Sequence, residues 1–147
     1  MKNSGLKRSL KQQLQNNLIA IVSIFIAISS LAYNTWRNEQ TEYNRNVRTS
    51  SFQILMSLAE LQLLVDHAFY NEDKDKGDPI KGWSYVLYVQ DLAQTVSPQV
   101  QQNAAQLKQV WAKSWQLMDE QQSENDAITQ SIKALRLEVL ATLQALH

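Results

Sequence analysis

One apolar segment close to the N-terminus constrains this chain more than any other feature. Residues 18–36 read LIAIVSIFIAISSLAYNTW and contain no charged side chain. Four basic residues and no acidic residue precede them, namely Lys2, Lys7, Arg8 and Lys11. A helix needs about 20 apolar residues to cross a bilayer core, so the segment is just long enough. Because Tyr33 and Trp36 lie where interfacial aromatic residues belong, we predict a transmembrane helix over 18–36.

The charge distribution predicts the orientation of this helix and the division of the chain. Basic residues stay on the cytoplasmic side, which places the N-terminus in the cytoplasm and residues 37–147 outside it. The remaining residues hold the other ten Lys and Arg and all 14 Asp and Glu, so they lack the clustered basic face that nucleic acid requires. The expected parts are a cytoplasmic tail (1–17), the membrane helix (18–36), a helical stalk (37–53) and an extracytoplasmic helical bundle (54–147).

A cleaved signal peptide is the alternative interpretation of the same segment. Leu18–Ile28 would be its apolar region, and Ser30-Leu31-Ala32 fits the small-x-small rule for cleavage. The apolar run continues past that site and leads into helical sequence, which favours a permanent anchor. Both interpretations place the remaining chain outside the cytoplasm.

A stripe of small and polar residues runs along the predicted membrane helix. Its members share one helix face by their spacing of three and four residues, and they are Ala20, Ser23, Ala27, Ser30 and Asn34. Small residues allow close approach of helices in lipid, and Ser or Asn can form hydrogen bonds across the contact. We therefore expect this face to contact a helix of another membrane protein or of a second copy, with lipid on the other faces.

The chain after the membrane segment has an all-α pattern. Ala, Leu and Gln favour helix, and only three Gly and two Pro interrupt the 147 residues. An amphipathic stripe with 4, 3, 4, 3 spacing comprises Ile54, Leu58, Leu61, Val65 and Ala68. A charged, turn-rich loop follows at 71–78. Asp78-Pro79 and Ser97-Pro98 each combine an N-cap residue with a proline at the first helical position, which predicts two further helix starts.

Segment 80–96 is rich in β-branched and aromatic residues, yet no second strand exists to pair with it, so we predict helix there. The third stripe comprises Val100, Ala104, Leu107, Trp111, Trp115 and Met118. The last comprises Ile128, Ile132, Leu135, Val139, Thr142 and Leu146, and a capping box from Ser123 to Asp126 is expected to start it. These stripes predict an antiparallel bundle of four helices, or of three if the middle helix is only kinked at Pro98.

Motifs that would carry chemistry do not form a complete set. The loop from Asn71 has Lys76 where a calcium loop needs Gly, and His67 has only His147 as a second imidazole for zinc. The chain has no Cys, no G-x-S-x-G elbow and no glycine-rich phosphate loop. We therefore expect neither catalysis nor a metal or other cofactor.

Three tryptophans stand out among the aromatic residues: Trp83, Trp111 and Trp115. At helical spacing such residues fill a core, and they also occur at partner surfaces and in ligand pockets. The sequence leaves all three interpretations open.

The juxtamembrane string Tyr33–Glu39 (YNTWRNE) and the layout around it resemble a group of small, uncharacterised single-pass inner-membrane proteins of Gram-negative bacteria. This resemblance implies an inner-membrane location with a periplasmic domain and brings no catalytic or binding residue. The layout is also similar in outline to the periplasmic input halves of bacterial chemoreceptors and histidine kinases, although only one span is recognised here.

Two functions are compatible with these features. The first is a non-enzymatic accessory or scaffold subunit that acts through helix contacts in the membrane and a periplasmic bundle. The alternative is a sensory or ligand-binding module without its own output domain, which would need a pocket lined by Trp83, Trp111 or Trp115.

Overall fold

In the computed structural model, which describes residues 10–71 and 73–146, the chain folds into four α-helices. They are α1 (Leu10–Tyr70), α2 (Pro79–Ala93), α3 (Pro98–Ser114) and α4 (Gln122–Ala145). The described residues contain no strand, which confirms the all-α prediction. Segment 80–96, despite its β-branched residues, is helical up to Ala93.

The chain divides into two compact units, and the boundary lies between Glu42 and Tyr43. The 61-residue helix α1 contributes to both of them. In the first unit, every side chain described from Asn17 to Glu42 is exposed. Within the described part of the chain, α1 alone is long and apolar enough to cross a membrane, and none of its most apolar stretch is buried. The core helix of a soluble protein would instead bury such a stretch.

The starts of α2 and α3 follow the predicted cap chemistry. Asp78 Oδ1 accepts a hydrogen bond from the backbone N–H of Ile80 at 2.8 Å, with Pro79 at the first helical position. Ser97 Oγ accepts from the backbone N–H of Val100 at 3.2 Å. A turn over 94–96 separates α2 from α3, so the chain has two helices here rather than one kinked helix.

The start of α4 differs from the prediction. Helix α4 begins at Gln122 behind Gln121, without a side-chain capping bond, so Ser123 lies inside the first turn and its predicted cap is wrong. The carboxylate of Glu124 in that turn accepts a hydrogen bond from the Ser114 hydroxyl at the end of α3. A contact between two helices therefore stabilises the start of α4. Local sequence rules do not detect such a contact.

The core of the second unit contains most residues of the predicted stripes. Its fully buried, large side chains come from all four helices and the turn after α3, and they include Ile54, Leu58, Leu61, Val86, Val89, Leu107, Trp111, Met118, Ile128 and Leu135. Helix α3 ends at Ser114, although its apolar stripe continues to Met118 through turns over 115–120. The core also includes Val47 and Ser51, which precede the first stripe.

Hydrogen bonds between side chains and between side chain and backbone show that three pairs of helices in the second unit are antiparallel. Within each pair, a residue nearer the start of the first helix bonds a residue nearer the end of the second helix. The pairs are Ser50–Thr95 and Gln53–Tyr88 for α1 and the α2 segment, Gln62–Thr129 and Val65–Asn125 for α1 and α4, and Ser97–Thr142 and Ser114–Glu124 for α3 and α4. The helical bundle is thus built from the end of α1 together with α2, α3 and α4.

Candidate functional site

The anchor face is the set of five residues that the sequence singled out in the first unit, namely Ala20, Ser23, Ala27, Ser30 and Asn34. All five lie on α1 and are exposed. The Ser23 hydroxyl donates a hydrogen bond to the carbonyl oxygen of Ile19 at 2.8 Å, which satisfies its donor within the helix. The oxygen of Ser23 can still accept a hydrogen bond from a neighbouring helix. The face is therefore shallow and only weakly polar, as a close helix contact requires.

A second exposed face lies on the part of α1 that belongs to the bundle, and we name it the outer face. It consists of Phe52, Met56, Ala59, Leu63 and Tyr70, which share one side of the helix by their spacing of 4, 3, 4 and 7. The four large side chains are 52–71% exposed. An apolar stripe of this kind on a folded domain marks an interaction site more often than a scattered single residue does.

The outer face was missed at the level of the sequence. The Ile54–Ala68 stripe predicts only the core side of the helix, and the structure confirms that Ile54, Leu58, Leu61 and Val65 are fully buried. A helix with one apolar stripe needs no second one on the opposite side. The spacing of Phe52, Met56 and Leu63 is also helical, and this was the sequence signal from which the outer face could have been predicted.

Trp111 is part of the core and offers no surface to a partner. The interpretation as a partner surface is therefore wrong for this tryptophan. Its side chain is 0% exposed and meets Trp83 edge to face, with 6.5 Å between ring centroids. A Cβ atom added at Gly82 would lie 2.1 Å from Cζ2 of Trp111. Glycine at this position thus allows α2 to pack directly on the indole ring.

Trp83 and Trp115 pack against the core and remain half-buried. Trp115 lines a cavity of about 470 Å³ at one end of the bundle, which we name the end cavity, and neither Trp83 nor Trp111 is among its lining residues. Its walls come from the end of α1, the loop before α2 and the turn after α3, through residues that include Ala68, Lys74, Gly77, Trp115, Met118, Asp119 and Glu120.

The loop that forms one wall of the end cavity is held by its own hydrogen bonds. Asp73 Oδ1 accepts from the backbone N–H groups of Asp75 at 3.1 Å and Lys76 at 3.0 Å. The Lys76 backbone N–H, with the nearby Lys76 ammonium, lowers the pKa of the Asp73 carboxyl below its ordinary value. Gly77 lies against α1 so closely that an added Cβ would be 2.6 Å from Cα of Ala68. The loop is therefore held against the helix by contacts within the chain.

The titratable residues that the structure describes near the end of α1 do not assemble a metal centre. Across residues 10–71 and 73–146, no group of three His, Cys, Asp or Glu side chains is placed to hold a metal ion. His67 Nδ1 instead lies 2.8 Å from Nδ2 of Asn71, which can donate a hydrogen bond to it.

Comparison with known proteins adds no relative: no protein-family model, no curated protein and no solved structure matches the chain. Three features of this chain are therefore its candidate functional sites: the anchor face, the outer face and the end cavity.

Proposed function

We propose that this protein is a non-enzymatic accessory or scaffold subunit anchored in the inner membrane of a Gram-negative bacterium. Residues 18–36 cross the bilayer, the basic N-terminus stays in the cytoplasm, and the bundle lies in the periplasm. The basic residues before the span support this orientation, because Lys and Arg accumulate on the cytoplasmic side. The resemblance of the Tyr33–Glu39 string to small inner-membrane proteins supports the same location.

The observation that carries this proposal is that α1 has an unpartnered face in each unit. The anchor face of the first unit has small side chains that suit helix contact in lipid. The outer face of the second unit has large apolar side chains that suit contact in water, where their burial is favourable. Each face fits the same kind of occupant, a partner helix with an apolar side.

The outer face has five residues, fewer than the about 20–30 residues that a stable interface takes from each partner. Exposed apolar patches of a few hundred Å² are usual on monomers, whereas a stable interface buries about 800 Å² on each partner. A shared membrane removes most of the translational freedom of two anchored proteins, so two modest contacts can act together. The partner is another membrane protein or a second copy of this chain.

Site-specific photocrosslinking in living cells tests this function. A photoreactive amino acid is placed at Ala27 on the anchor face or at Met56 on the outer face. Matched controls carry it at Phe25, which is exposed on another side of the span, and at Arg136, which is exposed on α4. We expect a defined product from Ala27 and Met56 and none from the two controls.

The mass of the product distinguishes the two kinds of partner. A product of twice the 16.9 kDa chain identifies a second copy, and any other discrete mass identifies a different membrane protein. The bulky change Ala27→Leu should reduce the product formed from Met56, whereas Ile28→Leu should leave it unchanged. Equal yields at all four positions, or no product from Ala27 and Met56, would show that these faces bind no partner.

A further inference from the structure

The end cavity has the composition and the fixed wall of a small-molecule site, and nothing in the proposed scaffold role uses it. Its volume of about 470 Å³ falls within the usual range for ligand sites, which is about 300–1,000 Å³. The volume alone would accept many small molecules, so the chemistry of the lining decides the class of ligand.

The apolar part of the lining is continuous with the core. Ala68 and Met118 are 7% and 2% exposed, and the half-buried Trp115 adds an aromatic side chain beside them. Such a surface favours an aliphatic or aromatic group, because filling it removes apolar area from water. A ligand that is entirely polar would leave this part of the cavity without a matching group.

The charged part of the lining carries both signs. Lys74 comes from the loop before α2, whereas Asp119 and Glu120 come from the turn after α3. A simple cation would meet the Lys74 ammonium, and a simple anion would meet two carboxylates. A zwitterion satisfies both signs, with its ammonium group toward Asp119 and Glu120 and its carboxylate toward Lys74.

The loop wall is already in place, which lowers the entropic cost of binding. Asp73 holds the loop through the backbone N–H groups of Asp75 and Lys76, and Gly77 packs against Ala68. A ligand would therefore enter a site whose loop wall does not have to be ordered first.

From these features we infer that the end cavity binds a free apolar α-amino acid as a zwitterion. The carboxylate is held by Lys74, the ammonium group by Asp119 and Glu120, and the side chain lies against Trp115, Ala68 and Met118. This inference does not depend on the helix contacts of the proposed function, so the failure of either leaves the other intact.

Isothermal titration of the full chain in detergent tests the inference. The probes are leucine, isoleucine, valine, phenylalanine and methionine, each measured separately. Two analogues of leucine complete the set: 3-methylbutylamine, which lacks the carboxylate, and 4-methylpentanoate, which lacks the ammonium group. We expect at least one amino acid to bind, and each leucine analogue to bind at least ten-fold more weakly than leucine or not at all.

Variants that remove a charge from the cavity test which side chains hold the carboxylate and the ammonium group of the ligand. Lys74→Gln should weaken amino-acid binding about ten-fold but should not weaken binding of the amine, because the amine no longer meets the like charge of the Lys74 ammonium. The double change Asp119→Asn with Glu120→Gln should weaken amino-acid binding but should not weaken binding of the carboxylate analogue, because that analogue no longer meets two like charges. Lys133→Gln, an exposed change on α4, is the matched control. All three side chains changed in the cavity are exposed, so the bundle should fold in each variant.

Tryptophan emission gives a second readout, because Trp115 is the tryptophan that lines the cavity. The amino acid should change the emission of the native chain, and Trp115→Phe should abolish that change. Failure of all five amino acids to bind, binding of an analogue as tight as that of leucine, or an equal effect of Lys133→Gln would overturn the inference.

Discussion

Gly82 and Trp111 make a close packing contact that a single substitution can test. A methyl group at Gly82 would lie 2.1 Å from the indole ring, inside a core where Trp111 is fully buried. Overpacking of this kind costs about 1–3 kcal/mol, and alanine returns up to about 1 kcal/mol over glycine within a helix. Because so short an approach places the cost near the top of that range, we expect Gly82→Ala to lower the free energy of unfolding by about 2 kcal/mol.

Chemical denaturation of the full chain in detergent measures this change. Ser84→Ala, an exposed substitution on the same helix, should stay within about 0.5 kcal/mol of the native chain. A Gly82→Ala variant as stable as the native chain would mean that α2 does not pack on the indole ring.

Two buried serines should respond in opposite ways to the loss of their hydroxyl groups. Ser51 Oγ is buried and has no hydrogen-bond partner among the described residues, whereas the Ser114 hydroxyl donates to the Glu124 carboxylate. We expect Ser51→Ala to leave the free energy of unfolding unchanged or to raise it by up to about 1 kcal/mol. Ser114→Ala should lower it by about 1–2 kcal/mol. Denaturation curves of the two variants check this, and equal effects would contradict it.

Asp73 gives the loop before α2 a dependence on pH. Hydrogen bonds from backbone N–H groups, chiefly that of Lys76, lower the pKa of Asp73 below 3.8 in the folded chain. A lowered folded pKa means that the carboxylate stabilises the loop above pH 3.8 and loses this effect as pH falls through the folded value. We expect nuclear magnetic resonance titration to find a pKa below 3.8 for Asp73, with the Lys76 amide signal shifting in the same range. A pKa at or above 3.8 would show that these hydrogen bonds do not form.

At the scale of single helices, the N-terminal caps show which helix starts the sequence could predict and which it could not. Ser97 accepts a hydrogen bond from Val100 at the start of α3, whereas Ser123 lies inside α4 and caps nothing. We expect Ser97→Ala to lower the free energy of unfolding by about 1 kcal/mol and Ser123→Ala to change it by less than about 0.5 kcal/mol. Thermal unfolding of the two variants measures the difference, and a larger loss for Ser123→Ala would reverse the cap assignment.

The helices could be predicted from the sequence because the capping residues and prolines agree with the helical spacing of the apolar residues. Asp78-Pro79 and Ser97-Pro98 marked the starts of α2 and α3, and the Ile54–Ala68 stripe marked the buried side of α1. Helix α4 starts where Glu124 meets Ser114, a contact between residues ten positions apart on two helices. Such a contact exists only after the helices have packed, so no local rule predicts it.

The candidate sites were accessible only in part, for a related reason. The anchor face follows from residue spacing on a single helix, so the sequence was sufficient to define it. The burial of Trp111 depends on Gly82, a residue 29 positions earlier on another helix. The end cavity requires the loop near Lys74 and the turn near Asp119 to meet, which a linear pattern does not show.

At the scale of the whole molecule, the proposed function requires that residues 18–36 stay attached to the bundle. It also requires that they place the bundle in the periplasm. The absence of Cys from the sequence allows single reporters to be introduced, one in the N-terminal tail at Ser4 and one in the bundle at Ser123. The measurement is labelling of Ser4→Cys and Ser123→Cys by a maleimide that does not cross the inner membrane, read as the labelled mass of the membrane fraction. We predict that Ser123→Cys is labelled in intact cells and Ser4→Cys only after the inner membrane is opened, both at full-length mass. A labelled bundle that begins at Tyr33 and leaves the membrane fraction, or labelling of Ser4→Cys in intact cells, would contradict the account.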